Sequence, residues 1–174
     1  MPLSVRICVT SGSKGGTGKS TFSELLTYIW SVLGAEARLV RPLERGLDGG
    51  VAIVDFPAFQ LTDRRHLAEL VGCNYVVFVV DEDPHTLEAV EKIHVLLRRE
   101  VLGILINKVV GRPSKEFLKA YRRLGDVHIA RFDTKLAVHR AIGVPPYKVR
   151  SVAVLDMAKA AVRLYEEVTR LKRL

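Results

Sequence analysis

The chain has 174 residues, 48% hydrophobic and 26% charged, which suits one globular domain with a sizeable core and excludes intrinsic disorder. No apolar run is long enough to cross a bilayer and the first residues, MPLSVRICVT, read straight into a strand, so neither a transmembrane anchor nor a signal peptide is expected and a cytoplasmic location is. The net charge of +8 is uneven: residues 1–87 carry 8 basic and 10 acidic side chains, residues 88–174 carry 19 and 9.

Residues 5–10, 51–56, 75–80 and 101–106 are short, rich in Val and Ile, and do not alternate with polar residues. That pattern predicts strands buried on both faces, as in a parallel sheet. Residues 37–40 and 127–130 are shorter candidates. Helical spacing separates these runs. Phe22, Leu25, Leu26, Ile29 and Leu33 share one face, with Gly34 as a stop. Asp83 caps a second helix with Pro84 in its first position, followed by Leu87, Val90, Ile93 and Leu97. Ser114 opens a third, carrying Phe117, Leu118, Tyr121 and Leu124. A long last helix starts near Ser151 and is expected to bury Leu155, Ala158, Val162, Tyr165 and Val168. Strands alternating with helices predict a doubly wound α/β fold with a mostly parallel sheet and helices on both faces, one domain over residues 1–174. Residues 41–50, RPLERGLDGG, read as a mobile loop and residues 144–147 as a more rigid one. Cys8 and Cys73 lie among apolar neighbours without a CxxC spacing and read as buried free thiols rather than a disulfide or metal site. The histidines, His66, His85, His94, His128 and His139, lack metal-ligand spacing and read as surface or packing residues.

The chemistry concentrates directly after the first strand, at SKGGTGKST, residues 13–21. Strand, glycine-rich turn and helix together make a phosphate loop. Gly15, Gly16 and Gly18 permit backbone angles closed to other residues and a close approach by phosphate. The loop then turns backbone N–H groups, including those of Thr17 and Thr21, toward the ligand, and the helix N-terminus adds its positive end. Lys19 neutralises the β- and γ-phosphates and the Ser20 hydroxyl binds Mg²⁺. Ser13 stands where the general GxxxxGK[ST] pattern has its first glycine, a mild departure.

A phosphate loop needs one lysine, and this one has two. The string KGGTGKS resembles the deviant Walker A motif of the MinD/ParA superfamily of P-loop ATPases, and the resemblance extends over nearly the whole chain. It implies ATP and Mg²⁺ as ligands and a homodimer that closes on ATP, with Lys14 reaching the nucleotide of the partner subunit. VAIVDFPA resembles the family's acidic strand end, which makes Asp55 a candidate Mg²⁺ ligand through water, alongside Ser20. GILINKV resembles its strand ending in Asn-Lys, which assigns Asn107 to the adenine edge. The candidate catalytic residues are therefore Lys14, Lys19 and Asp55. The segment ARFDTKLAVHRAIGVPPYKVRS is similar to the late family segment that packs near the base. A guanine-reading NKxD is absent, since position 110 is Val110.

Two departures from the family stand out. Its second strand ends in an acidic segment that orients the attacking water, whereas ARLVRPLERG places Arg41 there. The segment before the next strand is also short, with Asp48 as a candidate functional substitute whose position nothing in the sequence fixes. ATP binding is thus better supported than efficient hydrolysis. Arg41 reads equally as a phosphate contact or a surface residue. The leading expectation is a nucleotide-dependent dimerising switch with slow ATPase activity, used in DNA partition or protein positioning with an unidentified protein partner. Lys115, Lys119, Arg122, Arg123, Arg98, Arg99, Arg170, Lys172 and Arg173 are candidate contacts to non-specific DNA. The tail YEEVTRLKRL reads as a core-packing helix with a basic end rather than a membrane anchor. The alternatives are a non-hydrolysing regulator, a maturation or metal-insertion ATPase, disfavoured by the lack of CxxC, and a transferase.

Overall fold

The apolar runs become strands buried on both faces in the computed structural model, which describes residues 4–44, 49–97 and 101–172. Strands β1 (Val5–Thr10), β2 (Ala37–Val40), β3 (Val51–Asp55), β4 (Tyr75–Val80), β5 (Gly103–Val109) and β6 (Val127–Arg131) form a parallel sheet in the order β2-β3-β1-β4-β5-β6. The strand at 101–106 starts two residues later than expected and runs on to Val109. Helices α1 (Lys19–Val32) and α6 (Val152–Lys172) cover one face, packing on Ile7, Val9, Ile53, Val77 and Leu105. Helices α2 (Arg64–Gly72), α3 (Pro84–Leu96) and α4 (Lys115–Arg122) cover the other, over Cys8, Val54, Phe78, Ile104 and Ile106. A short helix, α5 (Thr134–Ala137), follows β6.

Chain direction reverses beside β1. The chain leaves β1 toward one face, leaves β3 toward the other, and then crosses to β4. The carboxyl ends of β1 and β3 therefore border an open crevice, the place where open α/β sheets bind ligands. Trp30 ties the two helices of the first face together, its indole N–H donating to the Ala161 carbonyl at 2.9 Å while its ring meets Tyr165 edge-on.

Asp83 caps α3 through the His85 N–H at 2.8 Å, as its position before Pro84 implies. Ser114 precedes α4 but makes no side-chain cap. Two expectations are corrected, the buried stripe of α6 and the state of the cysteines. The buried stripe of α6 is Ala153, Met157, Ala160, Ala161, Leu164 and Val168, and Leu155 is 52% exposed. Small alanines form the seam because α6 lies close on the sheet, where Gly103 has no side chain to meet Leu164. Helix α2 lacks a strong apolar pattern, burying only Leu70, and is set instead by its cap: Asp63 accepts from the N–H groups of Arg65 and His66. Finally, Cys8 and Cys73 are joined in a disulfide, with Cα atoms 6.1 Å apart. Their separation of 65 residues hid the pairing, but β1 and β4 are neighbours, with Cys8 opposite Val76. Of the expected loop at 41–50, residues 45–48, including Asp48, lie outside the described residues.

The disulfide gives a direct test. Thiol titration of the denatured, non-reduced protein should find no free cysteine, and two after reduction. Replacing both cysteines with alanine should lower the unfolding free energy by about 4 kcal/mol, the closure entropy of a loop this long. Two titratable thiols before reduction would contradict the pairing.

Candidate functional site

Strand β1 ends at Thr10 in the crevice, and the loop from Ser11 to Gly18 is stitched from within. The Thr10 hydroxyl accepts from the Gly12 N–H at 3.0 Å. The Ser11 hydroxyl donates to the Lys14 carbonyl at 2.6 Å and accepts from the Thr17 hydroxyl at 3.2 Å. Into this cradle comes Lys19, 7% exposed, its ammonium donating to Ser11 Oγ at 2.9 Å and to the Lys14 carbonyl at 3.1 Å. Both partners are neutral. Burial pushes the Lys19 pKa below its ordinary value, against the pull of Asp55 and Asp81. A desolvated cation whose hydrogen-bond partners are all neutral favours an anion beside it.

Asp55 ends β3 next to this loop. The Ser20 hydroxyl donates to its Oδ2 at 2.6 Å and the Ser23 hydroxyl to its Oδ1 at 3.4 Å. The two predicted Mg²⁺ ligands thus meet at the helix start, and hydroxyl plus carboxylate is the hard oxygen set that Mg²⁺ takes alongside water and phosphate. Gly15, Gly16, Lys19, Ser20, Thr21 and Asp55 line a cavity of about 750 Å³. Ser13 is exposed at the loop's outer edge.

Lys14 goes elsewhere. Its ammonium pairs with Asp83 Oδ2 at 2.9 Å, outside the cavity, with both side chains about one third exposed. The pairing raises the Lys14 pKa and lowers that of Asp83.

Asn107, 5% exposed, donates its amide N–H to the Thr17 carbonyl at 2.9 Å, and Lys108 donates to the Gly16 carbonyl. This grip follows from an irregularity in β5: the register with β6 shifts between Ile106 and Val109, and Lys108 takes a left-handed φ of 59°. Both residues line a second cavity of about 320 Å³ with Phe132, Leu136 and Met157, and it shares Gly16, Gly18, Thr21 and Arg140 with the first. His139, read as a surface or packing residue, is 3% exposed and fastens this lobe to the first turn of α1. Its Nδ1 donates to the Val144 carbonyl at 2.9 Å, since a carbonyl can only accept, and Nε2 lies 3.1 Å from the Thr21 hydroxyl, from which the neutral ring accepts. No signal in the chain marked His139, and the Asn-Lys strand end that includes Lys108 gave that lysine no role; each is identified by its neighbours in space.

No family model matches the sequence, and comparison with curated proteins finds no relative. Solved structures do match. The septum site-determining protein MinD of Pyrococcus horikoshii, complexed with Mg-ADP, aligns with a TM-score of 0.69 and 17% identity over 98% of each chain. A ParA-family ATPase of Chlorobium tepidum aligns with a TM-score of 0.69 and 14% identity, over 91% of this chain and 98% of that one. Aquifex aeolicus MinC:MinD gives 0.67 and 15%, over 91% and 96%. The fold is that of the MinD and ParA ATPases.

On this MinD/ParA fold, the larger lobe has one carboxylate among the described residues, Asp55, and both its oxygens accept from hydroxyls. Its remaining charged lining is Lys19, Arg41, Arg140 and His66. In the smaller lobe Asp133 is spent on capping: it accepts from the Lys135 N–H at 2.9 Å and the Val152 N–H at 3.2 Å, and these bonds lower its pKa. Arg131 is held by both oxygens of Asp156. What those groups leave is an apolar wall of Phe132, Leu136 and Met157 around Asn107. Among the described residues no cluster of His, Cys, Asp and Glu could hold a metal, and no helix is long and apolar enough to cross a membrane.

Gly18 is the tightest point between the lobes. It has φ 98°, and a Cβ there would lie 2.3 Å from Asn107 Nδ2. Gly18→Ala should push Asn107 off Thr17 and weaken ATP binding at least tenfold, read by calorimetry, with an unchanged far-ultraviolet spectrum. Wild-type affinity in the variant would show that the Asn107 contact does not shape the loop.

Proposed function

We propose that the chain is a single nucleotide-binding domain of MinD/ParA type: an ATP-dependent switch that dimerises across bound ATP and hydrolyses it slowly. The observation that carries this reading is the buried Lys19 ammonium without a carboxylate partner, beside the Ser20–Asp55 pair. Lys19 takes the β- and γ-phosphates, and the loop N–H groups complete the cradle. Ser20 and Asp55 would hold Mg²⁺, whose part is to neutralise charge on the phosphate oxygens. Asn107 and the apolar wall of Phe132, Leu136 and Met157 take the adenine, and the capped Asp133 has no free oxygen with which to read guanine.

Lys14 serves the partner. Its exposed pairing with Asp83 is of a kind that solvent and salt weaken, so the ammonium can be exchanged onto a phosphate presented by a second subunit. Sizing tests this. With Mg²⁺ and ATP the wild type should run as a dimer and Lys14→Ala as a monomer, while both bind ATP. A wild type that stays monomeric, or a Lys14→Ala chain that dimerises equally, would overturn the dimer reading.

A non-hydrolysing regulator is the second reading, favoured by the engaged state of Asp55: among the described residues the lobe offers no free carboxylate to orient water. A multiple-turnover ATPase rate that collapses in Lys19→Ala would exclude it. The cargo reading rests on α4, where Lys115, Lys119, Arg122 and Arg123 are all exposed. Arg170 and Lys172 are also exposed, while Arg98, Arg99 and Arg173 lie outside the described residues. DNA retardation should require ATP, fall steeply with salt, and disappear when the four α4 residues become glutamate. No retardation of DNA at low salt with ATP would sink the DNA role.

A further inference from the structure

We propose that Arg41 reads the terminal phosphate from within the same chain, and that Glu69 is the positioning residue that holds it there. This deepens the nucleotide reading above and rests on it.

Register places Arg41. In the β2–β3 ladder Val40 is opposite Val54, so Arg41 follows level with Asp55, which is itself opposite Val9 of β1. Arg41 therefore stands in the row of strand ends that borders the phosphate loop, two strand spacings from β1, about 10 Å. An extended arginine spans most of that distance, across the end of β3. Arg41 and Pro42 accordingly line the larger lobe with Lys19, Ser20 and Asp55.

Charge accounting singles it out. Lys19 is held by Ser11 and Lys14, His66 by Asp63 at 2.6 Å, and Arg140 by Glu24 at 2.9 Å. Asp55 is held by Ser20 and Ser23. The Arg41 guanidinium alone among the charged groups of this lobe has no side-chain partner among the described residues. It is a free fork in a cavity whose only carboxylate among the described residues is engaged. Guanidinium matches phosphate in a planar, two-point contact that an ammonium cannot make.

The turn that carries Arg41 is fastened from below. The Leu43 N–H donates to Glu69 Oε2, and Leu43 takes a left-handed φ of 67°. The other oxygen of Glu69 accepts from Arg6 of β1. The Glu69 side chain is only 12% exposed, and its helix α2 is tied to β1 again by the Cys8–Cys73 bridge. Glu69 thus connects the Arg41 turn to the strand that ends in the phosphate loop. Its removal frees the turn without touching ligand.

The loop N–H groups and Lys19 reach the β-phosphate that ADP and ATP share, and Lys19 keeps that contact with either nucleotide. Arg41 comes from the far side of Asp55, so its contact exists only with the third phosphate. Calorimetry of the whole chain with Mg²⁺, using ADP and the non-hydrolysed imido analogue of ATP, separates the two. Arg41→Ala should weaken the ATP analogue about tenfold and leave ADP within twofold. Arg41→Lys should fall between, because it keeps the charge and loses the fork. Glu69→Ala should reduce the preference for the ATP analogue over ADP about threefold, whereas a merely structural role would weaken both ligands alike. The thermal midpoint of Arg41→Ala should match wild type, since its guanidinium holds no side chain among the described residues. An unchanged analogue-to-ADP ratio in Arg41→Ala, or equal loss of both ligands, overturns the assignment. A wild type that binds neither nucleotide overturns the underlying reading instead.

Discussion

Burying the Lys19 ammonium costs solvation that the Ser11 hydroxyl and the Lys14 carbonyl return only in part, because both are neutral. The surrounding structure is arranged around that cation. Ser11 and Thr17 are fully buried to serve it, Asn107 and Lys108 hold the loop carbonyls from outside, and Asp55 waits one residue along at Ser20. The sheet order makes this convergence possible. β1, β3 and β5 each deliver one component to the same edge, and the crossings on opposite faces leave the space between them open.

The same edge distinguishes this chain from a simple phosphate cradle. Its two lobes share Gly16, Gly18, Thr21 and Arg140, so a ligand spanning them touches the loop, α1 and the α5 turn together. The Thr21–His139 contact and the Arg140–Glu24 pair couple that turn to α1. On the opposite flank, Glu69 and the Cys8–Cys73 bridge couple α2 to β1. The two lobes are thereby tied by direct contacts to the elements on both faces of the sheet.

Much of this was legible in the chain, for reasons that can be named. Buried parallel strands leave contiguous Val and Ile runs, and a phosphate loop is a contiguous string, so β1, the loop, α1 and the Asp55 strand end could all be read locally. The Asp83-Pro84 cap is local too. What escaped depends on contacts between distant residues. Cys8 and Cys73 meet because β1 pairs with β4, and the Lys14–Asp83 pair exists because the loop folds against α3. His139 reaches Thr21 from the other end of the chain. The α6 stripe was misplaced because the large Leu155 was preferred to the alanines that a close approach needs. Arg41 was visible as a departure, but its level with Asp55 emerges only from strand register.

The central claim is that the cation buried at the start of α1 is built for a nucleotide's phosphates. Calorimetric titration of ATP into the wild-type chain, with Mg²⁺ and again with chelator, tests it most directly when run beside Lys19→Ala. The account predicts saturable one-site binding that weakens at least tenfold without Mg²⁺ and vanishes in Lys19→Ala. Absence of binding in the wild type, or affinity that survives loss of Lys19, would contradict it.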